Sequence, residues 1–225
     1  MDWQAVILSA RLAAWTSFVL LVVGVPIAYW LAVSPWRLKF LVEAVVALPL
    51  VLPPTVLGFY ILLAVSPRSP LGALYLDLTG RTLPFSFQGL LLASILYSLP
   101  FAVQPFAAAF RSIDRRLVEA SWSLGVSRRA TFFRVVLPLA RPGLLAGVVL
   151  SFAHTLGEFG VVLMVGGNLP GVTRTVSISI YDEVQALDYA AAARTSLLLL
   201  GLSLVVLVFT YGLQRRAGAS WPWSW

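Results

Sequence analysis

Five stretches of this chain are apolar for long enough to cross a lipid bilayer, and no other feature restricts its fold as much. They run over 12–33, 43–65, 89–110, 142–165 and 192–213. A hydrocarbon core about 30 Å thick takes roughly 20 residues of helix. At that depth backbone N–H and C=O groups have no water to bond, so each segment must satisfy its own, as a helix does. Of the 225 residues, 60% are hydrophobic and 11% charged, which excludes the soluble classes. The expected fold is an all-α polytopic membrane protein, a single transmembrane domain over 1–225 with five spans. The loop around 66–88 leaves room for a short sixth segment. The first stretch is not expected to be a cleaved signal peptide, because Asp2 stands where a basic residue belongs and the apolar run is too long.

Basic residues set the orientation. If the loop around Glu119 lies in the cytoplasm, that side collects Arg37, Lys39, Arg111, Arg115, Arg116, Arg128, Arg129, Arg134, Arg141, Arg215 and Arg216. The other side keeps Arg11, Arg68, Arg81, Arg174 and Arg194. The positive-inside rule therefore puts the N-terminus outside and the C-terminus in the cytoplasm, in a cytoplasmic (inner) membrane. The same rule, with attraction to anionic lipid headgroups, accounts for the net charge of +7, and a nucleic-acid partner is not expected. With no cysteine and one histidine, disulfides and Cys- or His-built metal sites are excluded. No Gly-rich phosphate loop occurs, so any ATP-driven work requires a nucleotide site on another polypeptide.

The spans differ in character. The first is apolar all round, with Trp15, Tyr29 and Trp30 as interfacial anchors, and is expected at the periphery. The second carries Pro49, Pro53, Pro54, Thr55 and Gly58, which predicts a kinked or partly unwound helix. Carbonyls bared there must face protein or a water-filled cavity, so the segment either lines a pathway or is a kinked packing helix. In the third span Gln104, between Pro100 and Pro105, is expected to bond another helix, with pathway lining as the alternative.

The fourth span holds His154 and Glu158, four residues apart and so expected on one helix face. Ionisable groups at depth point to function. Two roles compete, a proton relay and a polar packing or gating contact; Glu158 lies about 24 Å up a helix from Pro142, near its outer end. Beyond it, TRTVSISIY reads as extended and DEVQALDY as a short surface helix. Arg194 opens the last span, either snorkelling to the interface or attracting an anion, and the terminal WPWSW reads as an interfacial aromatic tail.

Between the third and fourth spans lies EASWSLGVSRRATFFRVVLPLARPG, Glu119–Gly143. The pattern predicts two short helices around a tight turn. Gly125 suits the left-handed position past the first helix and Ser127 the N-cap of the second. Pro138 and Pro142 are expected to close that second helix and open the next span. Small Ala120 and Ser121 with apolar Trp122, Phe132 and Phe133 form a surface suited to being gripped from the cytoplasm.

This block resembles the EAA loop of permease subunits of binding-protein-dependent ABC importers. It matches at Glu119, Ala120, Gly125, Val135, Leu137 and Pro138, with Ser121 in place of the second Ala. LPLVLPPTVLGFYILL (Leu48–Leu63) and GEFGVVLMVGGNLPGVTRTVSISIYDEVQ (Gly157–Gln185) resemble the molybdate branch of that family, with sulfate and thiosulfate permeases as near relatives. The resemblance implies a type I importer permease fold and a homodimer with two cytoplasmic ATP-binding subunits, which carry the ATP and Mg²⁺. It also implies an external oxyanion-binding protein. The chain itself would hold no cofactor and no catalytic site. A coupling loop at 111–141 would seat Glu119, Ala120, Ser121, Gly125, Ser127, Phe132, Phe133, Leu137 and Pro138 against an ATPase. Pro53, Pro54, Thr55, Gln104, His154 and Glu158 are the pathway or gate candidates. Asn168, Arg174 and Asp182 are candidates for docking the binding protein. The cargo implied is molybdate, with tungstate as co-substrate, and sulfate is the alternative. A proton-coupled carrier using His154 and Glu158 is the competing class. A membrane-integral enzyme would need a polar catalytic cluster that this pair does not make.

Overall fold

The computed structural model describes residues 2–216, and its regular elements are all helical. The first, α1 (Trp3–Val33), begins where the Asp2 carboxylate accepts the Ala5 amide at 3.0 Å. Its 31 residues rise about 46 Å, more than the hydrocarbon thickness. One stripe of α1, including Ala5, Leu12, Ala13 and Leu20, is buried against α5 (Phe87–Arg111) and α8 (Leu137–Leu156). This helix is therefore central, contrary to the peripheral position expected. In lipid, small side chains rather than greasy ones mark a packing face, and a uniformly apolar sequence conceals them. The Phe106 ring of α5 fills the crossing, so close to Gly147 of α8 that a Cβ there would lie 2.4 Å from it.

The second apolar stretch is two helices, α2 (Lys39–Val51) and α3 (Pro54–Val65), whose axes turn by 116°. Proline chemistry explains the break. Leu52 precedes a proline and is extended (φ −73°, ψ 137°), as is Pro53 (φ −55°, ψ 136°), while Pro54 opens α3 at a position needing no amide. In the loop around 66–88, α4 (Pro70–Thr79) spans only about 15 Å, too short to be a sixth membrane segment.

After α5 come α6 (Arg115–Ser123) and α7 (Arg128–Thr131). The expectation that Pro138 and Pro142 end a helix is overturned. Helix continues without interruption over Arg128–Leu156 through a π-turn at Phe132–Val136. The Leu137 amide reaches back to the Phe132 carbonyl, and this wider turn relieves the clash that Pro138 would have with the turn before it.

The fourth apolar stretch is also broken. α8 stops at Leu156, Gly157–Phe159 are non-helical, and α9 (Gly160–Gly166) follows. His154 and Glu158 therefore do not share one helix face. Most of TRTVSISIY is helical rather than extended: Val176–Tyr181 open α10 (Val176–Gln185), and only Thr173–Thr175 stand outside it. Its first amide donates to Ser9 Oγ of α1 at 2.8 Å and Ile178 is buried, so tertiary contact overrides β-branched preference. Helix α11 (Tyr189–Arg216) lies outermost, with Leu197, Leu200 and Val208 exposed. Four helices and the bent pair give up to five spans. The aromatic tail at 221–225 lies outside the described residues.

Candidate functional site

The loop between α5 and α8 is a rigid helix–turn–helix. Asp114 caps α6 by accepting the Arg116 amide at 2.9 Å. The helix ends at Gly125, whose φ of +78° is left-handed. There the Gly125 amide donates to the Trp122 carbonyl at 2.9 Å and the Val126 amide to that of Ser121 at 3.1 Å. These two bonds are the Schellman closure, which needs a residue free to take positive φ. Ser127 then caps the next helix, accepting the Ala130 amide at 3.3 Å. The two arms are pinned by a buried hydroxyl pair, Ser121 Oγ and Thr131 Oγ1, 2.9 Å apart.

The coupling candidates fall into two groups. Glu119, Ala120, Gly125, Ser127 and Phe133 are exposed, and Glu119 accepts from Arg115 Nε at 3.0 Å. Ser121, Phe132 and Leu137 turn instead toward the chain's own interior, and Pro138 is half-buried. Phe132 is therefore not a surface to be gripped. Its ring packs edge-on to Tyr29 of α1 at 4.9 Å, and Tyr29 packs on Phe110 of α5 at 5.4 Å. This aromatic joint ties the loop to two spans. Leu117 and Leu124, exposed on the loop, were not singled out by sequence reasoning; Leu124 is 83% exposed because it sits past the last turn of α6.

Deeper in the bundle the two broken spans meet at their breaks, around a cavity of about 620 Å³ lined by Pro54, Thr55, Tyr97, His154, Glu158 and Gly160. A Cβ on Gly160 would stand 2.7 Å from that of Pro54, and one on Gly58 2.8 Å from Met164 Cβ, so α3 and α9 pack as one pair. Two serines one turn apart on α5 hold the other side. Ser94 Oγ donates to Glu158 Oε2 at 3.1 Å, and Ser98 Oγ lies 3.0 Å from His154 Nδ1 and 2.9 Å from Thr155 Oγ1. The His154 ring stacks on Phe101 at 3.8 Å. Glu158 is 5% exposed, and its Oε1 has no hydrogen-bond partner. The pair expected to share one helix face is thus divided between two serines of another helix. Ser94 was missed, although hydroxyls at 94 and 98 form an i, i+4 polar stripe visible in the sequence. Pro53 is at the hinge itself. Gln104 is exposed on the surface of the chain rather than bonded to a neighbouring helix, because that side of α5 has no other helix over it here.

At the opposite end of the bundle from the loop, Asn168, Arg174 and Asp182 come together across the turn that leads into α10. Asn168 Nδ2 donates to both Asp182 oxygens at 3.0 and 2.7 Å, and Arg174 Nε donates to Asn168 Oδ1 at 2.6 Å. Arg174 also lies 3.6 Å from Asp182 and 3.8 Å from Asp2, which joins the start of α1 to the network. Among the described residues no group of His, Asp and Glu is arranged to hold a metal ion.

This architecture has relatives. Residues 24–218 match the family described as the binding-protein-dependent transport system inner membrane component. The chain belongs to that family. The permease is 51% identical over 220 residues to the molybdenum transport system permease protein ModB of Azotobacter vinelandii, covering 97% of each chain. It is 35% identical to the ModB of Escherichia coli over 96% of its own length and 97% of that protein's. It is also 33% identical to the probable sulfate transport system permease protein cysT of Chlorella vulgaris, covering 94% of this chain and 79% of that one. In fold the permease matches the MetNI methionine ABC transporter in an inward-facing conformation, with a TM-score of 0.76 at 18% identity over 96% of this chain and 95% of that one. A bacterial importer of alginate matches with a TM-score of 0.68 at 20% identity, covering 96% and 80%. The fold is that of a type I ABC importer permease. The matched range takes in the loop, both helix breaks and the polar cluster at 168–182.

Proposed function

We propose that this permease is the membrane subunit of an ATP-driven importer of molybdate, with tungstate carried by the same route. The observation that carries the reading is its end-to-end similarity to molybdenum permeases, 51% identical in one case. The sulfate reading rests on the weaker likeness at 33% identity. In this reading the permease works as a homodimer with two cytoplasmic ATPases and an external oxyanion-binding protein. The helix–turn–helix faces the cytoplasm and the N-terminus lies outside, as the distribution of arginines supports. The chain supplies no covalent chemistry.

Each ATPase grips the exposed side of the loop at Glu119, Ala120, Ser127 and Phe133. When the ATPases close, the pinned loop moves as a body, because the buried Ser121–Thr131 bond and the Schellman turn leave it little internal freedom. The Phe132–Tyr29–Phe110 joint passes that movement to α1 and α5. Motion then reaches the paired breaks at Leu52–Pro53 and Gly157–Phe159, where two of the apolar stretches lack continuous helix. Pro53, Pro54, Thr55, His154 and Glu158 act there as the gate, while exposed Gln104 lines the path between two copies. Asn168, Arg174 and Asp182 receive the binding protein. The separate serine partners of His154 and Glu158 tell against a proton relay between them.

The test is cellular molybdenum by elemental mass spectrometry, in cells lacking the chain, at trace molybdate with excess sulfate. Molybdenum is expected to fall and to return with the wild-type gene but not with Gly125→Leu. Unchanged molybdenum with impaired sulfate uptake would move the cargo to sulfate.

A further inference from the structure

A second cavity, of about 880 Å³, lies where α1, α5 and the loop converge, well apart from the helix breaks. Four arginines, Arg111, Arg115, Arg128 and Arg129, stand around it, and Tyr29 and Phe132 form part of its apolar wall. Arg111 is paired with Glu43, and Arg115 with Glu119. Arg128 instead lies over the Trp122 ring at 5.7 Å, and neither it nor Arg129 has a carboxylate partner among the described residues. The cavity thus combines unneutralised positive charge with apolar walls at the ends of two membrane spans.

We infer that this cavity seats the phosphate-bearing headgroup of an anionic lipid, with the arginines on the phosphate and the upper acyl chains along Ala32, Val33 and Val136. Charge complementarity selects an anion, since guanidinium groups form paired hydrogen bonds to phosphate oxygens. Size and wall chemistry select a lipid over a free ion, because a bare phosphate would leave most of the volume and its apolar lining uncovered. The inference rests on the proposed cytoplasmic placement of the loop, where the leaflet carries anionic lipid. A lipid held there bridges the loop to α1 and α5 and becomes part of the joint that carries movement into the spans.

The test is native mass spectrometry of the purified permease–ATPase complex in neutral detergent, titrated with phosphatidylglycerol, phosphatidylcholine or inorganic phosphate. Phosphatidylglycerol is expected to stay bound while phosphatidylcholine does not, and the double variant Arg128→Gln, Arg129→Gln should weaken retention about thirtyfold. Arg128→Lys with Arg129→Lys should keep most of it. Ala32→Phe, with every charge intact, should weaken retention of the lipid by placing a ring where its acyl chains would lie. Equal retention of both lipids, or undiminished binding by the glutamine pair and by Ala32→Phe, would overturn the inference. Displacement of the lipid by millimolar inorganic phosphate would overturn it in favour of a free-anion site. Loss of the ATPase from preparations that keep the lipid would count against the coupling role of the loop, not against the lipid site.

Discussion

Gly160 and Pro54 touch across the two helix breaks, so closely that a methyl group on Gly160 would lie 2.7 Å from the proline Cβ. The contact joins spans separated by a hundred residues of chain at the point where each lacks helical continuity. Proline, which cannot give its backbone a donor, and glycine, which offers no side chain, let the two breaks sit against each other.

Gly160→Val is expected to force α3 and α9 apart at a cost of about 1–3 kcal/mol, the range for overpacking a tight contact. The protein should still insert, with a lowered melting temperature in detergent and uptake of labelled molybdate reduced at least tenfold. Full uptake by a variant of normal abundance would show that the paired breaks are not part of the gate.

Gly125→Leu introduces no clash, since a Cβ there meets nothing within 4 Å, and its effect is confined to the backbone. Holding a side-chain-bearing residue at φ +78° costs about 1–2 kcal/mol. Transport and copurification of the ATPase should fall, and Gly125→Asn should recover much of both because asparagine tolerates the left-handed region. If asparagine and leucine behave alike, the turn is not what the ATPase reads.

The buried Ser121–Thr131 pair offers a double-mutant cycle. Thr131→Val keeps the shape but leaves the serine hydroxyl unpartnered, with a destabilisation of about 1–3 kcal/mol. Adding Ser121→Ala should return part of that stability, since no polar group then stays unpaired. Strict additivity, measured by thermal unfolding of the purified complex, would mean the hydroxyls do not hold the loop together.

Glu158→Gln retains a group able to accept from Ser94 while removing the carboxylate. Transport should weaken several-fold with its ATP requirement intact, and Ser94→Ala should change the size of the Glu158→Gln effect because the two are bonded. Uptake that persists after ATP depletion and follows a proton gradient would establish a carrier instead.

Much of this molecule was legible in its sequence because the bilayer leaves few choices. Run length dictated helices, arginine placement indicated which loops share a side, and Gly125 and Ser127 announced a turn through their own local conformational preferences. The prolines at 53 and 54 predicted a disturbed span for the same reason, since ring geometry acts on the adjacent backbone. Asn168, Arg174 and Asp182 were named singly, but only the fold could turn their side chains toward one another and add Asp2 of the chain's start to the network.

Where the reading failed, the deciding contact came from elsewhere in the chain. Pro138 and Pro142 did not end the helix: a π-turn made room for Pro138, and Pro142 is carried inside α8. Val176–Gln185 became helical because its start is bonded to Ser9 and its apolar side is buried. His154 and Glu158 were separated by a helix end at Gly157 and claimed by Ser98 and Ser94 of α5. Within a membrane every span is apolar, so hydropathy identifies which segments cross but not which faces meet. Tertiary structure settled that through small residues, breaks and buried hydroxyls, whose value depends on what stands opposite.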